Sequence, residues 1–513
     1  MKVKVFKTIG LVLPVLVMIL FGYFLLSNNF KAGLGMIDDH EIAMFLGSDG
    51  KISVSEIPSL LLSTEVGQFG KALRYRPSYY FLRILESLLW QDKAILWYGF
   101  RYLMLVLSLV LGFKLMSSFY PKIISYLFIF YSLTMPFWPD LLTRLGPSEI
   151  YTVPGLMLFL FGFSKKNQFW LTFGYLVCVG SKENFLFLFP IVLGLFIYKV
   201  IKKQVNKVEL LSYLLMIGYT LFIGLAITLA TKNSGADVYG TAISYPDRIL
   251  GFIKMLPAII RTRHAELAML TLVGSFGYLA FKVKTDGFKK TIKLKLFKYL
   301  GVMMIIGLVI ASQYILYNNS LPTNMRYDFP GIILFRVLDL VAIALILESL
   351  KKVKRFKLIK FGGYLMMAVF MVYYILTRRY TLILMASEKN ARLSNEFSQK
   401  IELVAKTLKN SPEIPLVFVS RHYIDFEPIV SVTRYLTAKG VNNEFKLNFK
   451  EQKIDKTDSL GQELNDRLVK VSLGEEKQDE LFKRFTSFDE EVPCYSISFQ
   501  REYPGPCELI TRF

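Results

Sequence analysis

The sequence is poor in the residue types on which metal and redox chemistry usually depends. Its 513 residues include three histidines and three cysteines. It contains no Walker A loop, no H-E-x-x-H motif and no paired C-x-x-C motif. The missing Walker A loop argues against an ATP-driven pump, and the three histidines argue against a His-rich metal centre. The sequence therefore predicts no His-rich metal centre, and its acidic and basic side chains are the remaining candidates for chemistry.

Charge is also scarce, and it is unevenly distributed. Charged residues make up 20% of the chain and apolar residues 53%, and the net charge is +22. Residues 378–513 hold 21 basic and 21 acidic residues, so the whole excess lies before residue 378, mostly between apolar runs. Basic loops between apolar runs are typical of membrane topology. The charge therefore does not indicate a nucleic-acid partner.

The apolar residues fall into eleven runs close to the length that crosses about 30 Å of hydrocarbon. The chain starts with lysines at positions 2, 4 and 7, and the even-numbered connections, such as 282–298 and 351–360, are also basic. This alternation predicts a cytoplasmic N-terminus, and an odd number of spans places the C-terminus outside. The predicted spans are 8–27, 94–113, 123–138, 151–163, 169–181, 184–200, 209–230, 265–281, 299–317, 331–349 and 361–377.

Polar sequence follows the last span, with periodicities that change from helix to strand. A helix is predicted over SNEFSQKIELVAKTLKN, a buried strand over PLVFVS, a helix over EPIVSVTRYLTAKG, and strands over FKLNF and CYSISF. The sequence thus predicts an α-helical polytopic membrane protein with a small extracytoplasmic α/β domain at its C-terminus. Outside the cytoplasm, Cys494 and Cys507 could form a disulfide, which spacing alone does not decide.

Acidic side chains gather in the first outer segment, residues 28–93. The stretch GMIDDHEIAMFLGSDG, 35–50, places Asp38, Asp39, His40 and Glu41 side by side just beyond the first span. Carboxylates at a membrane surface suit proton transfer on a lipid-linked substrate. The alternative is that Asp38 and Asp39 only cap a short helix.

Basic residues recur in all the outer segments. Arginine can bind phosphate oxygens through two parallel hydrogen bonds, and lipid phosphates lie at this level. The simpler alternatives are that Arg74 and Arg76 reach toward lipid headgroups and that Lys182 and Glu183 form a structural ion pair. The aromatic stretch 75–90 has helical spacing and predicts a helix in the membrane interface. The outer basic residues are Arg74, Arg76, Arg144, Lys182, Arg248, Arg261, Arg263 and Arg326.

Three stretches in order resemble the GT-C class of integral-membrane glycosyltransferases, which includes protein O-mannosyltransferases and lipid A aminoarabinose transferases. They are the outer acidic pair followed by Arg76-Pro77, the stretch SKENFLFLFP at 181–190, and NMRYDFP at 324–330. The resemblance implies a GT-C-like domain over residues 1–380 in a bacterial inner or plasma membrane. It does not extend to residues 381–513, which the polar composition and the odd number of spans predict to be a separate extracytoplasmic domain. It also implies inverting transfer of a sugar from a polyprenyl-monophosphate donor to a lipid, glycan or protein acceptor.

The resemblance further implies roles for single residues. Asp38 is the first acid of the pair and the preferred general base, and Asp39 stands where relatives often have Glu. Lys182 and Arg326 would contact the donor phosphate, with Arg74 and Arg76 nearby.

Glu183 would orient Lys182 or a sugar hydroxyl, and Glu41 and Tyr327 would contact substrate. The resemblance requires no cofactor and leaves a divalent cation open. Two other interpretations remain: a polymerase or ligase that uses a lipid pyrophosphate, and a transporter or lipid flippase.

Overall fold

The protein is described by a computed structural model. Asp38, the preferred base, lies outside the described residues. These are residues 2–37, 39–46, 50–237, 240–241, 243–288, 295–317, 321, 325–349, 355–377, 381–420, 426–449, 485–487, 493–499 and 507–513.

Helices dominate the chain as far as Thr377. They are α1 (Lys2–Leu26), α2 (His40–Phe45), α3 (Ile57–Leu62), α4 (Pro77–Trp90), α5 (Ala94–Met116), α6 (Lys122–Ser132), α7 (Trp138–Thr143), α8 (Glu149–Lys165), α9 (Gln168–Ser181), α10 (Phe189–Ile201), α11 (Lys207–Ser234), α12 (Tyr245–Thr262), α13 (Glu266–Asp286), α14 (Lys295–Ile315), α15 (Gly331–Ser349) and α16 (Phe356–Thr377). A two-stranded ribbon, β1 (Ala236–Asp237) and β2 (Gly240–Thr241), precedes α12.

Each of the eleven predicted spans overlaps a helix in this series. Two differ in extent, since α6 ends at Ser132 within the predicted span 123–138, and the span 184–200 begins with a 3₁₀ helix, Glu183–Leu188. In the described part of the chain, seven helical stretches are long and apolar enough to cross a membrane. The apolar stretches of α6 (Lys122–Ser132) and α14 (Tyr299–Ile315) are shorter than these seven. The helical nature of the eleven segments is thus confirmed, and eleven crossings stay a prediction. The seven stretches begin at Val12, Ala94, Glu183, Lys207, Glu266, Arg326 and Lys357.

The hairpin of α8 and α9 is packed unusually closely, and glycine makes this possible. A Cβ added at Gly162 would lie 2.2 Å from the backbone nitrogen of Leu171, and one at Gly174 would lie 2.3 Å from that of Phe159. Only residues without a side chain allow such an approach. Because the two helices are antiparallel, the start of α8 at Glu149 lies beside the end of α9.

Helix α4 confirms the helix that the sequence predicts over 79–90, and its place in the membrane interface stays a prediction. It has Pro77 in its first turn. Backbone N–H groups there have no acceptor within the helix, so the missing N–H of proline costs no hydrogen bond. One face is buried, including Tyr79, Tyr80 and Arg83, and Phe81 and Leu89 are exposed. The helix packs on α9, α3, α2 and α5, so it lies between the acidic segment and the membrane helices.

The C-terminal α/β region comprises α17 (Thr381–Lys409), α18 (Phe426–Ala438) and five parallel strands. The strands are β3 (Leu416–Ser420), β4 (Phe445–Phe449), β5 (Phe485–Ser487), β6 (Tyr495–Ser498) and β7 (Glu508–Arg512), in the order β5-β4-β3-β6-β7. The central strand β3 pairs with β4 from Leu416 opposite Phe445 and with β6 from Leu416 opposite Tyr495. The predicted helices and strands of the tail are confirmed.

Two further features tie this region together and to the rest of the chain. Cys494 and Cys507 form a disulfide, which answers the question that their spacing left open. The first half of α17 packs on α1, α7 and the 3₁₀ turn Ser27–Lys31, and its second half packs on the sheet. Polar contacts anchor it, since the Ser387 hydroxyl donates to the Asn29 side chain and the Gly33 amide donates to Ser394 Oγ at 3.0 Å.

Candidate active site

A buried ion pair forms where α8 begins and α9 ends. Lys182 Nζ lies 2.7 Å from Glu149 Oε1, and the two side chains are 4% and 3% exposed. Lys182 follows Ser181, the last residue of α9, and has extended backbone, as the short turn between two predicted spans requires. Because two charges removed from water are stable only when paired, this contact fixes the junction of the two helices. The sequence suggested Glu183 as the partner of Lys182, and in the structure Lys182 forms an ion pair with Glu149.

Tyr327 joins this pair to the late loop NMRYDFP. Lys182 Nζ lies 4.8 Å from the centre of the Tyr327 ring, and the Arg326 guanidinium carbon lies 5.2 Å from it. Such cation–π contacts strengthen when water is excluded. The Tyr327 carbonyl accepts hydrogen bonds from Gln313 at 2.8 Å and from the Tyr317 hydroxyl at 2.9 Å. Hydrogen bonds to its backbone therefore fix the position of this loop. Its two predicted site residues, Arg326 and Tyr327, lie near Lys182.

Arg326 also approaches the segment between α6 and α8. Its Nε lies 4.0 Å from Asp140 Oδ2, and Asp140 in turn binds Arg144 at 3.0 Å. These side chains are 18% to 33% exposed, in contrast to Lys182 and Glu149. The charges therefore run from a buried end at Lys182 to a more open end at Arg144.

Glu183, Arg74 and Arg76 complete this cluster on the α4 side. Lys182, Arg74 and Arg76 are the cations whose charges act most strongly on the Glu183 carboxylate, and Arg74 acts on Tyr327 as well. Arg76 forms a bidentate pair with Glu65, through Nη2 at 2.6 Å and Nε at 3.1 Å. All four predicted donor-phosphate residues therefore lie around Glu183 and Tyr327.

The charges of this cluster leave a small positive excess. It contains five cations and four carboxylates, so its formal charge is +1. An anion with a single negative charge would neutralise it, and a guanidinium group can bind two of its oxygens through parallel hydrogen bonds. The cations are Arg74, Arg76, Arg144, Lys182 and Arg326, and the carboxylates are Glu65, Asp140, Glu149 and Glu183.

The acidic segment packs on α4 through α2. Asp39 directly precedes α2 and is 3% exposed, but its side chain makes no capping hydrogen bond to that helix. One carboxylate oxygen instead accepts a hydrogen bond from the Gly35 amide at 2.8 Å. Asp39 therefore closes the loop before α2, which differs from the helix-cap alternative.

Glu41 is bound to α4 through Tyr79. The Tyr79 hydroxyl donates to Glu41 and lies 3.1 Å from the Gly146 carbonyl oxygen, while Arg83 donates to the same hydroxyl at 3.3 Å. Burial raises the pKa of Tyr79 well above its ordinary value; the charge of Arg83 opposes this shift and that of Glu41 adds to it. Tyr79 therefore stays a neutral donor, and Glu41 accepts its hydrogen bond.

Arg76 connects the two groups of charges. Its guanidinium carbon lies 4.9 Å from the Tyr79 ring and 5.4 Å from the Tyr80 ring, and its Nη2 donates to the Tyr80 hydroxyl at 3.2 Å. The same arginine acts on Glu183. Arg76 at the start of α4 therefore lies between the acidic segment and the Lys182 cluster.

Several of these residues were not singled out from the sequence. Glu149 stands in the outer segment PSEIY, and an acid at the start of an apolar run is the signal that could have identified it. Glu65 and Tyr79 carry no such signal, because their partners Arg76 and Glu41 are defined only by the fold. Among the described residues, no group of three or more His, Cys, Asp or Glu side chains is arranged to hold a metal ion.

Comparison of the chain with protein-family models finds no match, and comparison with curated proteins finds none either. Among solved structures, the chain is similar to the crystal structure of ArnT from Cupriavidus metallidurans bound to undecaprenyl phosphate. The similarity covers 92% of this chain and 91% of that chain, with 11% sequence identity and a TM-score of 0.44.

Proposed function

We propose that the protein is a membrane glycosyltransferase that moves a sugar from a polyprenyl-monophosphate donor to an acceptor outside the cytoplasm. The observation that carries the proposal is the cluster of Lys182, Arg326 and Arg74 around Tyr327 and Glu183, at the ends of membrane helices. A polyprenyl-phosphate sugar is a phosphodiester with one negative charge, which matches the +1 excess of the cluster. Its lipid chain would extend along the neighbouring apolar helices.

The proposed chemistry is an inverting displacement at the anomeric carbon. The acceptor hydroxyl attacks this carbon and loses its proton to Asp38, or to Asp39 as the second choice. The bond between the anomeric carbon and the phosphate oxygen breaks, and polyprenyl phosphate leaves with its additional negative charge. Lys182 and Arg326 would stabilise that charge because their positions are fixed before the reaction starts.

The topology and the domain division belong to the same proposal. The N-terminus would be cytoplasmic, and residues 381–513 would form an extracytoplasmic domain beside the catalytic residues 1–380. The donor is delivered within the membrane, so the acceptor, whether lipid, glycan or protein, approaches from the outer side. The first half of α17 contacts the segment before the acidic loop, which suits a region that meets the acceptor.

The test follows release of polyprenyl phosphate by mass spectrometry. Purified protein in detergent is incubated with a panel of polyprenyl-phosphate sugars and an envelope extract as the acceptor source. Wild type is compared with Asp38→Asn and Asp39→Asn, and Asp247→Asn is the matched control, because Asp247 is an outer acid bound to Ser244 on the exposed start of α12. We expect one of the two acidic-loop variants to lose release by about a hundredfold or more, as for removal of a general base, and the control to keep it.

Two results would contradict the proposal in different ways. Release at the wild-type rate by both acidic-loop variants would exclude a carboxylate base at this position. Absence of both donor binding and release in wild type, over the whole panel, would exclude the glycosyltransferase itself.

A transporter or flippase is the second candidate, and one observation favours it. Arg336 and Asp339 lie inside the apolar helix α15, 3.8 Å apart, and charged residues within a span often mark a transport path. Reconstituted protein that moves a fluorescent polyprenyl phosphate between leaflets, and loses this activity in Asp339→Asn, would support that function. Turnover of the donor without such movement would exclude it.

A further inference from the structure

The C-terminal α/β region lies directly against the acidic segment. Helix α18 packs on α2, the helix that carries Glu41. The Tyr435 hydroxyl donates to the Gly35 carbonyl at 3.0 Å, and the Ser431 hydroxyl donates to the Met36 carbonyl. Ala43 of α2 belongs to the apolar core of the C-terminal region. One face of α18 therefore forms a wall of the loop that holds Asp39.

Arg434 lies on this same face of α18, because residues three or four positions apart are neighbours on a helix. It is half-buried, and the groups whose charges act on it are Glu41 and Tyr80. Burial lowers the pKa of Arg434, and Glu41 and Tyr80 partly offset this. Within the described residues its guanidinium forms neither a hydrogen bond nor an ion pair.

A guanidinium in that position has donors to offer to a ligand. Arginine carries five N–H donors in a planar fork, and partial burial without a partner is unfavourable. Glu41 nearby offers carboxylate oxygens that accept hydrogen bonds. A donor fork beside an acceptor suits the hydroxyl groups of a sugar, each of which can both donate and accept. An anion alone would be repelled by Glu41.

We propose that Arg434 is a substrate-contacting residue that, together with Glu41, binds hydroxyl groups of the transferred sugar across the junction of the two parts of the chain. This inference rests on the proposed function, because it names the sugar-binding side of the same site. The donor phosphate would be bound at the Lys182 cluster on the other side of Arg76. Sugar recognition and phosphate recognition would thus be separated along α4.

The experiment measures two dissociation constants on the full-length protein in detergent. The probes are sugar-free undecaprenyl phosphate and the polyprenyl-phosphate sugar that wild type binds best in the panel. The variants are Arg434→Met and Arg434→Lys, and Arg392→Met is the matched control, because Arg392 lies exposed on α17 and pairs only with Glu396 in the described part of the chain. Near-native hydrogen-exchange protection of α2 serves as the check that α18 still packs on the acidic segment.

We expect Arg434→Met to weaken binding of the sugar-bearing lipid by about ten- to a hundredfold, as for loss of hydrogen bonds from a charged group. Binding of sugar-free undecaprenyl phosphate should stay within about twofold. Arg434→Lys should restore part of the loss, since it keeps the charge but not the fork. The control should leave both constants unchanged.

Three outcomes would overturn the inference. Equal weakening of both probes in Arg434→Met with intact protection of α2 would mean that Arg434 binds the phosphate. Equal weakening with lost protection, not relieved in Arg434→Lys, would mean that it only holds the helices together. Unchanged binding of both probes would exclude any contact. Wild type that binds neither probe would instead refute the proposed function, and this inference would fall with it.

Discussion

The ion pair between Lys182 and Glu149 gives a prediction that does not depend on the reaction. Replacing Lys182 by Met leaves the Glu149 carboxylate buried without its cation, and Glu183 loses a neighbouring positive charge as well. Breaking a buried pair in this way destabilises a protein by about 3–5 kcal/mol. The variant Glu149→Gln should cost less, about 3 kcal/mol, because Glu183 still accompanies the lysine.

The double variant makes the argument quantitative. Lys182→Met with Glu149→Gln removes one charge of each sign, so its loss should be smaller than the sum of the single losses by about 1–3 kcal/mol. The free energy of unfolding is measured by titrating dodecyl sulfate into protein in a mild detergent and following tryptophan fluorescence. The matched control is the exposed pair of Lys439 and Glu402, whose side chains are 36% and 66% exposed. Its Lys439→Met variant should lose less than about 1 kcal/mol.

Additive losses in the double variant, within about 0.5 kcal/mol, would refute the reasoning, since uncoupled side chains add in this way. Losses in Lys182→Met no larger than those in Lys439→Met would refute it too. In that case water would reach the junction of α8 and α9, and the site would lack the low-dielectric environment on which its proposed affinity for phosphate depends.

Three further predictions test other parts of the site. Arg326→Met should weaken binding of undecaprenyl phosphate by about ten- to a hundredfold and Arg326→Lys by less, because a guanidinium fork that can bind two oxygens is lost. Titration with the labelled lipid measures this affinity, and an unchanged value would remove Arg326 from the donor site. Tyr79→Phe should lower the free energy of unfolding by about 1–3 kcal/mol, because Glu41 loses its donor; a loss below about 0.5 kcal/mol in the same titration would show that water replaces it. Replacing Cys494 and Cys507 by Ser opens a loop with a sequence separation of 13. This should destabilise the C-terminal strands by about 3 kcal/mol. Hydrogen exchange of β6 and β7 measures the loss, and unchanged exchange would contradict the prediction.

Sequence patterns predicted the secondary-structure elements correctly wherever hydrophobic length and periodicity determine them. The apolar runs became helices, and the aromatic stretch 79–90 is helical as predicted. The strand in PLVFVS was also predicted correctly. The roles assigned to Asp38, Asp39, Lys182 and the other site residues stay predictions, because they concern a reaction and not an element.

Partners of charged groups were harder to predict, and the reason is physical. Lys182 stands next to Glu183 in the sequence, which suggested that pair. Its ion pair with Glu149 arises because Gly162 and Gly174 let two helix backbones approach closely enough to bring the far ends of the hairpin together. The distance between two side chains depends on such packing, and no local pattern reports it.

The sequence by itself determined that the chain is a helical membrane protein with an acidic outer segment, basic outer residues and an α/β region at its end, because hydrophobic length, charge and periodicity act over short stretches. Only the tertiary structure decided what these parts do together. It placed Tyr435 on the Gly35 carbonyl across 400 positions of sequence, and with it brought Arg434 to Glu41. Contacts at that separation depend on how α18 packs against α2, which the burial of a shared apolar core determines and which leaves no signal in either segment alone.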